Sequence, residues 1–345
     1  MGLIRRIFGS GTVSNGSPEN QASVPAEPSS ANGAGPDLPA NEPIYSDRPG
    51  EETLPPEPLI KPPAEPAEEI TPISFGHANR TRPQVPTMVV GFASHVGMVR
   101  KRNQDAGLVI TSTTLGDSPL PPFGLYVVAD GMGGHSHGEM ASQLAARIVA
   151  RQVVAHIYPP HLALGDGELT DPVQDILREA LQRANWQVHN AVSDSGTTLT
   201  CALVLGSRLY IAHVGDSRAY MLRPDEPILE LLTHDHSFVQ RLQDSGNITP
   251  EEAAAHPQRN VLDRAVGQGQ QLDVDTFSRS LPTSCWILLC SDGLWGVVPT
   301  ETLQGTVLTA DSPQAGCQRL IDAALRAGAP DNVTAILVHL QVPAP

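Results

Sequence analysis

The segment Leu125–Gly134 (LYVVADGMGG) runs from apolar residues into an Asp-Gly pair and two further glycines. An apolar run without polar alternation that stops at turn residues predicts a short buried strand. We therefore expect the carboxylate of Asp130 at the lip of a sheet, where Gly131 lets the backbone come close to a ligand. Taken alone, an Asp-Gly pair indicates no more than a strand followed by a turn.

The same pattern returns twice along the chain. Trp286–Gly293 is again an apolar run that ends in Asp-Gly, with Asp292 as its acid, and Asp331 stands just before the apolar run Val333–Val338. Three strand ends that each carry an aspartate predict a carboxylate cluster at one edge of a core. Clustered aspartates repel one another, and divalent cations are the usual remedy. Oxygen ligands select Mg²⁺ or Mn²⁺ over zinc, and two such ions activate a shared water for attack on a phosphorus or carbonyl centre.

Arg100 favours phosphate as the target of that chemistry. A guanidinium stays charged and matches two phosphate oxygens with two parallel hydrogen bonds. Asn103, Gln104 and Asp105 follow three to five residues later and place polar side chains beside it at the entrance of a strand. Without these neighbours, Arg100 would be interpreted as a solvated surface charge.

Composition divides the chain of 345 residues near residue 87. Half of its 32 prolines lie within residues 1–86, which are also rich in Ala, Glu, Ser, Gly and Asn. Such a segment cannot bury enough apolar surface to offset the entropy of ordering it, so we predict a disordered tail over 1–86. Its Pro-Ala-Glu-Pro repeats favour polyproline II and a role as a spacer. The remaining residues, 87–342, have the size of one domain.

Several classes of protein are disfavoured by composition. A net charge of −15 argues against a general nucleic-acid binder, which needs a basic face. The four cysteines show no paired spacing and predict buried, reduced thiols in a cytoplasmic protein. No stretch reaches the roughly 18–20 apolar residues that span a bilayer. Residues 1–8 are short, basic and apolar, and suggest at most a weak peripheral contact with a membrane.

The periodicity of apolar residues predicts the order of the elements. Spacings of three and four indicate helices over 138–157 and 173–192. Two apolar runs joined by Gly206-Ser207 predict a β-hairpin, which we expect residues 217–222 and 228–232 to continue as a meander. Further helices are expected within 238–265, 299–308 and 313–327, before a final strand. Strands joined by hairpins, with helices in pairs, predict antiparallel sheets covered by helices.

Eight segments within residues 88–341 match one known family in composition and in order. They are Gly97–Arg100 with Asn103–Asp105, Ala129–His135 with Gly138–Glu139 and Ala141–Ser142, Gly196–Thr198, Val214–Arg218, Thr233–Ser237, Gly246–Gly267, Ser291–Trp295 and Asp331–Thr334. In these segments the sequence resembles the metal-dependent protein phosphatases of the phosphatase 2C type, in their bacterial form.

The resemblance implies an α+β fold, a four-layer α-β-β-α sandwich of two antiparallel sheets flanked by helices, with a binuclear metal site at one end. It implies hydrolysis of phosphoserine and phosphothreonine by direct attack of a metal-bridging water, without a phosphoenzyme. Mg²⁺ or Mn²⁺ would be the cofactor, as two ions or three. Phosphorylated proteins, a Ser/Thr kinase among them, would be the partners of a monomeric, cytoplasmic enzyme.

The resemblance also implies which residues of this sequence bind the metals, because they stand at the positions of the family's metal ligands. Asp130 would bridge both metals, and the carbonyl group of Gly131 would bind one of them. Asp292 and Asp331 would complete the pair of sites. Asp216 matches an aspartate that helps to hold a third, weaker metal in bacterial members.

Arg100 would hold the substrate phosphate, and Asp105 would act through a metal-bound water. Two positions depart from the family's pattern. Gln104 stands where Glu is common, so the site has one negative charge fewer, although an amide still hydrogen-bonds a metal-bound water. Met132 stands where animal members carry a histidine that resembles a general acid, and water could protonate the leaving oxygen instead.

Two other interpretations stay open. A non-catalytic, phosphatase-like domain could bind phosphopeptides or a regulator, and the neutral Gln104 is the only feature that favours it. The pairs His135 and His137, and His234 and His236, have the spacing of zinc ligands, but no cysteine or third histidine is near in sequence. We therefore expect structural histidines there. His213 is expected to be packed, and residues 238–265 resemble the family's mobile flap.

Overall fold

The computed structural model describes residues 87–114, 120–134, 137–163 and 172–341. The predicted tail of residues 1–86 and His135 lie outside the described residues. Within these ranges no helix combines the length and apolarity needed to cross a membrane.

The described strands form two antiparallel sheets. The first sheet has the spatial order β1 (Thr87–His95), β11 (Val333–Gln341), β10 (Ser284–Cys290), β7 (Arg218–Leu222) and β8 (Leu229–Leu231). The second has the order β2 (Asp105–Ser112), β3 (Phe123–Gly133), β5 (Leu199–Leu205), β6 (Arg208–Val214) and β9 (Asp275–Ser280), and β4 (Ser195–Thr197) pairs with the end of β3.

Eight helices accompany the sheets in the described residues. They are α1 (His137–His156), α2 (Tyr158–Leu162), α3 (Val173–Ala191), α4 (Phe238–Asp244), α5 (Pro250–Ala254), α6 (Asp292–Trp295), α7 (Thr300–Leu308) and α8 (Pro313–Arg326). Apolar side chains of α1 and α3 pack on the second sheet, and those of α6, α7 and α8 pack on the first. A third apolar cluster fills the space between the sheets. The expected four-layer α-β-β-α sandwich is confirmed.

Burial on both faces explains why the strand at Leu125–Gly134 has no polar alternation. Successive side chains of a strand point to opposite faces. In β3, Leu125 and Val127 therefore join the cluster under α1 and α3, while Tyr126 and Val128 join the cluster between the sheets. All four are fully buried, so both faces of the strand must be apolar. The four cysteines are also buried as free thiols, as expected.

The predicted meander is wrong. β6 stays in the second sheet, where it pairs with β5 and β9, whereas β7 lies in the first sheet between β10 and β8. The chain crosses between the sheets after Val214, at Gly215, whose φ of 107° is a left-handed conformation that favours glycine. Apolar alternation is the same for strands of either sheet, so the sequence pattern could not show the crossing. The polar edge strand β9 and the short helices α2 and α6 were also not predicted.

Residues 238–261, within the predicted insert of 238–265, form a helical segment that leaves and re-enters the sandwich at one point; we call this segment the flap. Ser237 pairs with Leu262 in an isolated antiparallel bridge, and the amide N–H of Phe238 donates to the carbonyl oxygen of Val261 at 2.8 Å. Ser237 also caps α4, because its side chain accepts the N–H of Gln240. The helical insert expected within 238–265 is thus present as α4 and α5.

His213 is packed, as expected, and not open to solvent. It is 0% exposed, and its ring nitrogens lie 2.9 Å from Oγ1 of Thr200 and 3.0 Å from the carbonyl oxygen of His234. Burial lowers its pKa to about 3, and the neighbouring His236, whose ring centroid is 4.7 Å away, acts in the same direction.

The contribution of His213 to the free energy of unfolding should therefore fall as the pH is lowered. An unfolded histidine has a pKa of about 6.5, so between that pH and about 3 the unfolded chain binds a proton that folded His213 does not. From pH 7 to pH 5 this residue should remove about 2 kcal/mol of stability. In chemical denaturation we expect His213→Gln to gain about 2 kcal/mol of stability relative to wild type between pH 7 and pH 5, whereas His156→Gln, at an exposed position of α1, should not. Equal slopes for wild type and His213→Gln would contradict this interpretation.

Candidate active site

One cavity of about 170 Å³ gathers almost all of the residues singled out from the sequence. Its lining includes Arg100, Gln104, Asp130, Gly131, Met132, Asp216, Asp292 and Asp331. Asp105 is outside this lining, but it lies opposite Asp130 in the ladder between β2 and β3. Segments from both sheets thus converge on one edge of the sandwich.

Asp130 stands where β3 changes partners, not at the end of the strand as its Asp-Gly pair suggested. β3 pairs with β5 up to Val128 and with β4 from Gly131 onward. The backbone between these partners is held by two threonines. The N–H of Asp130 donates to Oγ1 of Thr198 at 2.8 Å, and its carbonyl oxygen accepts from Oγ1 of Thr197 at 2.9 Å. The carboxylate is therefore carried by a backbone fixed on both sides.

Gly131 is required by a close approach of two main chains. A Cβ atom at this position would lie 2.1 Å from the carbonyl oxygen of Gly138, near the start of α1. The N–H of Gly131 donates to the carbonyl oxygen of Gln104 at 3.1 Å. Any side chain would therefore push α1 away from β3 and disturb the position of the Gly131 carbonyl group.

Gln104 makes a contact that a glutamate at this position could not make. Its Nε2 donates to the carbonyl oxygen of Gly133 at 3.3 Å, and the amide packs against Gly138, where a Cβ atom would lie 2.6 Å from Nε2. A carboxylate has no proton to donate and would face that carbonyl oxygen with like charge. This hydrogen bond is a local structural reason for glutamine, and not glutamate, at position 104.

Asp105 and Asp292 each present a buried oxygen without a hydrogen-bond partner. Ser291 donates to Oδ2 of Asp105 at 2.8 Å and accepts the N–H of Thr334 at 3.0 Å, which ties β2 to the ends of β10 and β11. Oδ1 of Asp105 and Oδ1 of Asp292 are buried and unpaired. Unpaired buried carboxylate oxygens are costly, so they indicate a ligand that the protein side chains do not supply.

Burial and mutual repulsion raise the pKa values of the clustered carboxyl groups. Burial is the largest cause for Asp130, whose pKa lies well above its usual range, and the charges of Asp105, Asp292 and Asp216 add to it. The pKa values of Asp292 and Asp216 are raised mainly by burial too, and that of Asp105 rises to about 7. Several negative charges in a low-dielectric space require a positive charge to balance them.

Arg100 and Asp331 hold each other at the mouth of the cavity. Nη2 of Arg100 donates to Oδ2 of Asp331 at 2.6 Å, and this bond is the main reason that the pKa of Arg100 is raised. The arginine side chain is 51% exposed, so its guanidinium faces solvent as well as the cavity.

In the part of the chain that the structure describes, no three His, Cys, Asp or Glu side chains are already arranged to hold a metal ion.

A buried network that the sequence did not reveal supports Asp216. Nε1 of Trp295 donates to the carbonyl oxygen of Asp216 at 3.0 Å. The guanidinium of Arg218 lies 3.5 Å from the centroid of the Trp295 ring and donates to both carboxylate oxygens of Asp235, at 3.0 and 2.8 Å. Cation–π stacking and a two-point ion pair together fix the link between β6 and β7. Both charged residues lie in segments that match the family, but their pairing is a property of the fold.

His234 and His236, two of the histidines expected to be structural, each contact a carboxylate through Nε2. Nε2 of His234 lies 2.8 Å from Oδ2 of Asp244, and Nε2 of His236 lies 3.1 Å from Oδ2 of Asp275. Nδ1 of His236 accepts the N–H of Gly215 at 3.1 Å. Each of these two histidines thus has its own carboxylate partner, which is the structural role expected for them.

The donor set fits a pair of hard divalent cations. The acidic side chains and the Gly131 carbonyl group offer only oxygen ligands, which Mg²⁺ and Mn²⁺ prefer. The unpaired Oδ1 atoms of Asp105 and Asp292 and the raised pKa values both point to a missing positive charge.

Comparison with known proteins identifies the family of this chain. The family model for protein phosphatase 2C matches residues 100–309. The serine/threonine phosphatase stp of Listeria innocua is 33% identical over 251 residues, which are 72% of this chain and 94% of the relative. The crystal structure of the Mycobacterium tuberculosis serine/threonine phosphatase PstP/Ppp is 35% identical with a TM-score of 0.60, and the match covers 74% of this chain and 99% of that one.

A structure of the catalytic domain of PstP in complex with two manganese ions is also 35% identical, with a TM-score of 0.57 over 74% of this chain and all of that one. The solved structures agree with the sandwich. The chain belongs to the protein phosphatase 2C family.

Proposed function

We propose that this chain is a metal-dependent protein phosphatase that hydrolyses phosphoserine and phosphothreonine. The observation that carries the proposal is the cavity at the sandwich edge, where buried aspartates with unpaired oxygens lie beside an exposed arginine. The named activity of the relatives supports the same chemistry. No observation favours the alternative of a non-catalytic binding domain, whereas the acids in the cavity support hydrolysis.

Asp130, Asp292, Asp331 and the carbonyl group of Gly131 are the proposed ligands of two cations, and Asp216 is the proposed ligand of a third. When bound, Mg²⁺ or Mn²⁺ supplies a water activated for attack near neutral pH and balances the charge of the phosphate. The two manganese ions in the PstP structure support this assignment. Asp105 lies opposite Asp130 in the neighbouring strand and would act through a water bound to the metals.

Arg100 binds the phosphate group of the substrate. Its guanidinium is half exposed and bonded to Asp331, so an arriving phosphate can take over the same donors with two parallel hydrogen bonds. This exchange would release Asp331 toward its role as a metal ligand. Arg100 is therefore the partner of Asp331 until the substrate phosphate takes the place of Asp331.

The leaving serine or threonine oxygen takes its proton from water. Met132 directly follows Gly131 in the lining of the cavity, and a thioether has no proton to donate. The cavity is open to solvent on the side of Arg100, since that side chain is 51% exposed. Water at the mouth is thus the available acid.

The substrates are phosphorylated proteins, and a Ser/Thr kinase is expected among them. Four buried free thiols suit a reducing compartment, which supports a cytoplasmic location. We further propose that residues 87–342 act as one monomeric catalytic domain, with residues 1–86 as a spacer. A net charge of −15 disfavours nucleic acid as a partner.

Removal of metal should abolish hydrolysis of a phosphothreonine peptide, and Mn²⁺ should restore it. We expect Mn²⁺ to raise the melting temperature of the metal-stripped protein, because it neutralises the buried aspartates. Asp292→Asn should lower kcat by about a hundredfold or more and reduce the Mn²⁺-induced shift. Without metal this variant should be at least as stable as wild type, since one repelling charge is gone.

The control for that experiment is Asp311→Asn, which removes an exposed acid paired with Arg319. It should keep wild-type activity and the full Mn²⁺-induced shift. Full activity of the stripped wild-type protein, or an unchanged kcat for Asp292→Asn, would count against the proposed metal centre.

Arg100→Ala should weaken phosphate binding. A charge-assisted hydrogen bond contributes about 1.5–3 kcal/mol, so kcat/KM for the peptide should fall roughly 10- to 100-fold, mainly through KM. Inhibition by inorganic phosphate should weaken in parallel, and Arg100→Lys should recover part of the loss. Steady-state kinetics with Arg208→Ala, an exposed arginine of β6, provides the control. Unchanged KM and phosphate inhibition in Arg100→Ala would refute this role.

A further inference from the structure

Asn332 is a buried amide that joins the loop of Arg100 to the start of β11. It is 2% exposed and directly follows Asp331. Its Nδ2 donates to the carbonyl oxygens of Val96 and Arg102, both at 2.8 Å. Its Oδ1 accepts the N–H of Gln104 at 2.7 Å. A single side chain thus binds the main chain on both sides of Arg100.

These three bonds close the loop of residues 96–104, which connects β1 to β2. The same loop also contacts the main chain of residues 329–331, which precede Asn332. The N–H of Met98 donates to the carbonyl oxygen of Ala329 at 2.8 Å, and a Cβ atom at Gly97 would lie 2.1 Å from the carbonyl oxygen of Asp331. Gly97 has a φ of 82°, a conformation that a side chain would strain. The loop therefore has a defined shape with Arg100 near its tip.

A carboxamide is the side chain that suits this position. It supplies two donated hydrogens and one acceptor oxygen from one planar group. A carboxylate of the same shape keeps the acceptor for Gln104 but loses both donors, and its charge would face the carbonyl oxygens of Val96 and Arg102. A buried carbonyl left without its partner costs about 1–3 kcal/mol.

We infer that Asn332 is a positioning residue for Arg100. It sets where the guanidinium stands relative to Asp331, the metal ligand proposed at the preceding position. The pair Asp331-Asn332 thus has two roles. Asp331 supplies an acid of the site, and Asn332 positions, through the loop, the arginine that binds the substrate phosphate. Small displacements of such groups lower rates strongly, because the reacting groups must be prealigned. This inference rests on the proposed phosphatase activity and adds a residue that touches neither substrate nor metal.

Asn185 offers a matched control elsewhere in the sandwich. It is 1% exposed, its Nδ2 donates to the carbonyl oxygen of Gly269 at 2.8 Å, and its Oδ1 accepts the N–H of Gly267 at 2.7 Å. It therefore has the same burial and the same kind of bonds to a loop, but that loop carries neither Arg100 nor a proposed metal ligand. Asn185→Asp should lower the melting temperature about as much as Asn332→Asp.

The test compares Asn332→Asp, Asn332→Ser and Asn185→Asp in the full chain with Mn²⁺ present. Both Asn332 variants should raise KM for a phosphothreonine peptide and the inhibition constant of inorganic phosphate by about tenfold or more, the equivalent of one lost hydrogen bond. Asn332→Ser removes the donated bonds without adding charge, so its dissociation constant for Mn²⁺ should change less than threefold. Asn185→Asp should leave KM and phosphate inhibition within twofold of wild type.

A double-mutant cycle with Arg100→Ala decides whether Asn332 acts through the arginine. In the Arg100→Ala background, Asn332→Ser should cause no further loss of kcat/KM, whereas Asn185→Asp should behave as it does alone. Additive losses from Arg100→Ala and Asn332→Ser, or a KM that rises only as much as for Asn185→Asp, would overturn the inference. If Asn332→Asp does not fold, Asn332→Ser alone is used in the double-mutant cycle. Wild-type protein without phosphatase activity would instead refute the proposed function.

Discussion

Repulsion between buried carboxylates is the constraint on which the rest of this structure depends. Asp105, Asp130, Asp216 and Asp292 come from different segments of two sheets, yet they share one low-dielectric space. Placing like charges together weakens a fold unless cations balance them. The surrounding sandwich must therefore be stable enough to hold an edge that, without metal, is unfavourable. Three apolar clusters, one between the sheets and one under each helical layer, provide that stability.

The edge is held by close main-chain contacts together with hydrogen bonds from buried polar side chains. Gly131 meets Gly138 where no side chain fits, and a Cβ atom at Gly293 would lie 1.9 Å from the carbonyl oxygen of Asn332. Ser291 and Thr334 join the ends of β10 and β11 by hydrogen bonds in both directions. The acids thus stand on backbone that cannot easily shift, and this suits a site in which geometry decides the rate.

Sequence reasoning reached the acids because their signal is local. An apolar run that ends at Asp130 or Asp292 is visible in a few residues, and the family resemblance extended it to Gly131 and Asp216. It missed features that depend on which segments meet. The stacking of Arg218 on Trp295 and the bonds from Asn332 to Val96 join residues far apart in the chain. The crossing between the sheets at Gly215 was also missed, since alternating burial is alike in both sheets.

The flap enters and leaves the sandwich through a single antiparallel bridge between Ser237 and Leu262. Its two ends are therefore neighbours in space, and the chain between them can change length or sequence without moving the sheets. Such a segment can be replaced as a unit. Asn260 of the flap lines the cavity of the acids, so another loop on the same stem could alter which phosphoproteins bind while Asp130 and Asp292 stay in place.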